Sequence, residues 1–146
     1  MNQPEYIQTV DAVLTEHTES AVETLRRVLD LLPEIAQVVT LDVMVDQGAE
    51  GFLTVQVGLG GPNLYVLNKS IHAHRILFDT FMTPDGLVPN LPLMEGNEFD
   101  VGDTLTDCAA RWLVKVWRRA NHDARGLPVT VESPERYGTA LPIKLQ

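Results

Sequence analysis

The sequence predicts an α+β fold: N-terminal helices, an antiparallel meander of about four strands, a long amphipathic helix, and one or two C-terminal strands. Three observations carry this expectation. Apolar residues recur every three or four positions before residue 33 and again after residue 103, but every second position over much of the stretch between. Glycine and proline are absent from residues 5–32 and gather between the periodic runs. With 146 residues, 45% hydrophobic and 21% charged, the chain matches one ordinary core, without repeats, and we assign residues 1–146 to a single domain.

Ile7, Val10, Leu14, Ala21, Leu25, Val28 and Leu32 place one buried face on a helix or on two. Ser20 and Glu23 have the spacing of a capping box, so a second helix is expected to start at Ser20, with residues 17–19 as a short break and Pro33 as the stop. His17 lies near the apolar stripe and is expected to pack between helices. The period then changes. Val39, Leu41, Val43 and Val45, then Leu53, Val55, Val57 and Leu59, alternate with more polar residues as half-buried strands, and residues 46–51 close the hairpin. A third strand is expected at residues 64–67 and a fourth at residues 76–82, followed by a turn at Pro84, Asp85 and Gly86 and a loop over residues 87–99.

The best-specified helix runs from about residue 103 to residue 121. It starts among Asp100, Asp103 and Asp107 and ends with Arg118 and Arg119, which complements the helix dipole. Leu105, Cys108, Ala109, Ala110, Trp112, Leu113, Val116, Trp117 and Ala120 cover more than half of its circumference, which calls for two packing neighbours. After Gly126, Leu127, Val129 and Val131 share one face, and Pro142 argues that the final extended piece, residues 137–145, is an edge strand or no strand.

Charge is sorted along the chain. Residues 1–110 hold 17 acids against 4 bases, a net of −13, whereas residues 111–146 hold 3 against 7, a net of +4. Nothing cationic stands between Arg27 and Lys69 or between Arg75 and Arg111. Such a field repels phosphates and attracts basic partners, so nucleic acid is excluded as a partner. The apolar runs are far below the ~20 residues that span a bilayer, the opening residues lack the pattern of a secretory signal, and the single Cys108 cannot form an intrachain disulfide. A cytoplasmic protein without a membrane partner is expected.

Each candidate site competes with a plainer role. His72 and His74 share a face if extended, but zinc needs three or four ligands and no third stands at a suitable spacing, so a polar loop is favoured and no metal is assigned. Gly58, Leu59, Gly60 and Gly61 lack the following helix and the Lys of a phosphate loop; they fit a turn, and no cofactor is assigned. Arg111, Lys115, Arg118 and His122 form one strip of the long helix and are the candidate anion-binding residues. Cys108 points into the expected core as an inert thiol rather than a nucleophile. The candidate partner-binding carboxylates are Asp42, Asp46 and Glu50 around the first hairpin and Glu95, Glu98, Asp100, Asp103 and Asp107 before and within the long helix. Nothing fixes two of these at a catalytic separation, so no catalytic residue is assigned.

The stretch Pro92, Leu93, Met94, Glu95, Gly96, Asn97, Glu98, Phe99 and Asp100, leading into a Trp-bearing helix, resembles small acidic bacterial proteins of uncharacterised families. Some of these look like immunity proteins of toxin systems. The element order and low pI are also similar to small acidic secretion chaperones, which are dimeric, although their usual closing helix is missing here. The expectation is therefore a non-enzymatic, acidic binding protein whose partner is a basic protein, a toxin or effector to be neutralised. The alternatives are a chaperone-like homodimer, or a small-ligand-binding protein or enzyme using a pocket beside the long helix.

Overall fold

The computed structural model describes residues 1–45, 52–92, 98–120 and 123–146. Two helices open the chain, α1 (Gln3–Glu16) and α2 (Thr18–Asp30). Asn2 starts α1 by accepting a hydrogen bond from the Glu5 amide at 2.9 Å. The break between the helices is a single residue, His17, so α2 begins at Thr18 rather than at Ser20. The Nδ1 of His17 lies 2.9 Å from the Val13 carbonyl oxygen, which only accepts, so that nitrogen carries the proton. The imidazole meets Phe78 edge-on at 5.1 Å between centroids.

Strands β1 (Val38–Val45) and β2 (Leu53–Gly60) form the expected antiparallel hairpin arms. The expected third strand is instead a helix, α3 (Leu64–Ile71). Asn63 adopts a left-handed conformation and caps it by accepting from the Val66 amide at 3.3 Å, while Leu67 and Ile71, one turn apart, are buried. Asn68 then fixes α3 to the sheet. Its side-chain amide donates to Leu59 O at 3.1 Å and accepts from Leu59 N at 2.9 Å, taking the place of a neighbouring strand.

The expected fourth strand divides into β3 (Ile76–Asp79) and β4 (Phe81–Thr83) around the buried Thr80, which bonds to both backbone groups of Leu53. The turn at Pro84 and Asp85 leads into β5 (Gly86–Val88), which pairs with β4 as a separate ribbon exposing Phe81, Met82 and Val88. Of the loop expected over residues 87–99, residues 89–92 and 98–99 lack strand character, and residues 93–97 lie outside the described residues.

The long helix α4 (Val101–Ala120) is entered through Asp100, whose carboxylate accepts from the Asp103 amide at 2.8 Å. It packs against α1, α2 and β1, three neighbours where its wide apolar face called for two. Trp112 is buried, donates to the Thr18 hydroxyl at 3.1 Å and meets Phe78 at 6.0 Å. The chain ends with β6 (Val129–Glu132) and β7 (Ile143–Lys144).

The main sheet has the order β3-β2-β1-β6-β7. It is mixed rather than wholly antiparallel, because β6 runs parallel to β1. Strand β7, directly after Pro142, lies at an edge, one of the two outcomes that the proline left open. The architecture is α+β. Val39, Leu41, Val43 and Val45 of β1 and Leu53, Val55 and Val57 of β2 face the helices and are buried, while the alternate residues of both strands form the opposite face. Among the described residues no helix is long and apolar enough to cross a membrane.

Candidate functional site

Strand alternation turns Thr40, Asp42 and Met44 away from the helices. Asp42 stands beside Gln56 on one side and Glu132 on the other. A Cβ on Gly58 would lie 2.7 Å from Asp42 Oδ2 and 2.6 Å from Thr40 Oγ1, so both side chains occupy room that only glycine leaves. Burial raises the Asp42 pKa above its ordinary 3.8; Glu132 pushes the same way, while the Thr40 hydroxyl and the Arg75 guanidinium partly oppose it.

More carboxylates converge on the segment after β6. Glu135 Oε2 accepts from the Val45 amide at 3.1 Å. Asp103 Oδ1 accepts from Gly138 N at 2.8 Å, and Asp107 accepts from the amide and hydroxyl of Thr139, both at 2.8 Å. Residues 135–139 are thus strapped between the sheet and α4 by acidic side chains, each of which satisfies a backbone donor. Beside them opens a cleft of about 430 Å³ whose walls include Glu132, Arg136, Tyr137, Gly138 and Leu141.

The sequence-predicted carboxylates therefore have different positions. Asp103 and Asp107 join the strap beside this cleft, Asp42 adjoins Glu132 on the open sheet face, and Asp100 caps α4. Glu98 is exposed just before the helix. Asp46, Glu50 and Glu95 lie outside the described residues, as does His122 of the basic strip. Sequence reasoning missed Glu132, Glu135 and Tyr137, because they reach this end of the molecule through the parallel pairing of β6 with β1, which no local pattern encodes.

Many of the bases are held by the fold itself. Arg26 donates to the Ala120 and Arg119 carbonyls at the C-terminus of α4, Arg75 to Val57 O and Arg125 to Pro33 O. Arg111 lies 3.9 Å from Asp11 and bonds to Cys108 Sγ, and Arg119 pairs with Glu19. Lys115 and Arg118 are exposed on α4, and Arg111, Lys115 and Arg118 line neither the 430 Å³ cleft nor the second one described below. Cys108 is fully buried, and its thiol is pushed up to about 12, by burial first and by Asp11 second. It has the character of a core residue.

The second cleft, of about 360 Å³, lies at α3 and is lined by Tyr65, Asn68, Lys69, His72 and Arg75. The sequence carried a signal for it: Lys69 and Arg75 are the only Lys or Arg residues between Arg27 and Arg111 and fall within seven positions. The expected strand at residues 64–67 hid their convergence. His72 caps the end of α3 and is exposed, and His74 is half-buried. Among the described residues no three His, Cys, Asp or Glu side chains come together to hold a metal ion.

Over residues 1–146 the chain matches the model of a family described as "Family of unknown function (DUF6389)". No curated protein and no solved structure matches.

Proposed function

The chain belongs to the family DUF6389, and from that premise we propose that it is a non-enzymatic docking protein whose acidic end receives a basic protein, such as a toxin or effector to be neutralised. The supporting observation is the 430 Å³ cleft at residues 132–142, with Glu132 in its wall, Asp42 beside Glu132, Asp103 and Asp107 bound to the segment, and Glu135 of the segment bound to the Val45 amide. A recess of this size accepts a Lys or Arg side chain, and Tyr137 supplies an aromatic wall on which a guanidinium stacks. The hydrogen bonds to backbone amides orient Asp103 and Asp107 without removing their charge. Arg111 and Arg119 are paired with carboxylates of α1 and α2, and Arg136, in the cleft wall, is the base that works against the acidic field there.

Opposite fields steer association and weaken with salt, as the Debye length falls from about 10 Å at 0.1 M to about 3 Å at 1 M. The test captures partners on the immobilised chain and on Glu132→Lys in parallel. The expected result is a basic protein whose dissociation constant rises about tenfold or more in Glu132→Lys and again in 1 M salt. A neutral partner, or binding indifferent to both changes, overturns the proposal.

A further inference from the structure

We propose that the cleft at α3 binds a small anionic molecule, with its phosphate or carboxylate group held by Lys69, His72 and Arg75 and an apolar part set against Tyr65. The cleft's volume of about 360 Å³ suits a small ligand rather than a folded partner. Among the described residues its lining contains Lys, Arg and His and no carboxylate. In a chain of net charge −9, gathering these groups concentrates positive charge at one place, which an anion relieves.

The walls are built before any ligand arrives. The Asn68 side chain bonds to Leu59 N, Leu59 O and Leu64 O, which locks α3 against the edge of β2. Arg75 is fixed twice to Val57, its Nε donating to the Val57 carbonyl at 3.1 Å and its own carbonyl accepting from the Val57 amide at 2.8 Å. A guanidinium has five N–H donors, so this anchoring leaves others for a ligand oxygen; Asp42 is the carboxylate that acts on it from the sheet. Lys69 Nζ stands 5.7 Å from the centre of the Tyr65 ring. Tyr65 is 74% exposed, flanked by the exposed Leu64 and Val66, and offers aromatic and aliphatic surface next to the cations.

The test titrates the full chain with phenyl phosphate, benzoate and inorganic phosphate, followed by calorimetry and by amide chemical shifts. Saturable binding by phenyl phosphate or benzoate, with shifts centred on residues 64–75, is expected; the tighter of the two identifies the anionic group, and inorganic phosphate should bind more weakly than phenyl phosphate. Lys69→Glu should weaken binding about tenfold or more, and Lys69→Gln less; the side chain is exposed, so Lys69→Gln should leave the thermal midpoint nearly unchanged, whereas Lys69→Glu also sets a negative charge in the last turn of α3. Arg118→Glu makes the same change of charge on α4 and should leave affinity within about twofold. No saturation up to about 10 mM of any probe, shifts centred elsewhere, or an equal loss in Arg118→Glu overturns the proposal.

Discussion

Gly58 and Asp42 have to be considered together. The missing side chain on β2 makes room for a carboxyl on β1, and burial there penalises the ionised form more than the Thr40 hydroxyl and Arg75 favour it. The consequence for stability has a definite sign. A carboxyl whose pKa is raised by folding favours the folded state below its unfolded value, near 3.8, and that contribution is lost as pH rises through the folded value. Asp42→Asn should therefore raise the thermal midpoint at pH 7, with the difference vanishing below pH 3.8. A variant less stable than the parent at pH 7 would mean that the hydroxyl and the guanidinium outweigh burial. The core character of Cys108 was legible in the sequence, since it sits on the apolar stripe of α4 and is buried, whereas His17, expected to pack between helices, is the break between α1 and α2 and meets Phe78 of β3.

At the scale of elements, α4 was legible because everything that specifies it is local: the Asp100 cap, acids at the start, arginines at the end and an unbroken apolar face. Trp112 joins it to the rest. It packs on Phe78 and donates to Thr18 at the head of α2, so Trp112→Ala removes buried area and orphans a polar contact. The expected cost is about 3–5 kcal/mol, read from chemical denaturation; a loss below about 1 kcal/mol would mean that α2 and β3 do not depend on this contact. Helix α3 was not legible in the same way. Leu64, Tyr65, Val66 and Leu67 form a short apolar run, which periodicity assigns equally well to strand or helix. What decides it is Asn63 as a cap, the burial of Leu67 with Ile71, and the docking of Asn68 on Leu59. Of these, the spacing of Asn63, Leu67 and Ile71 stands in the sequence, whereas the docking does not.

For the molecule as a whole, a net charge of −9 sets acidic surface against itself. Adding salt from about 0.01 M to about 0.15 M shortens the Debye length from about 30 Å to about 8 Å and screens that repulsion. The thermal midpoint should rise over this range. A fall would mean that Arg111–Asp11, Arg119–Glu19 and the arginine contacts at helix ends outweigh the repulsion.

The sequence by itself left open whether the last segment is a strand at all, and determined the α+β class, the outer helices, the first two strands with their buried faces and the sign of the field. Each depends on periodicity, caps, proline geometry or charge, which act within a few residues or add without regard to position. The tertiary structure alone decided which charges become neighbours. Glu132 reaches Asp42 because β6 lies parallel to β1, and Asp103 and Asp107 meet residues 138 and 139 because α4 passes the returning chain. Pairings between residues 30 to 90 positions apart follow from how sheet and helices bury their common core, and hydrophobic burial, having no direction of its own, leaves no local mark of them in the sequence.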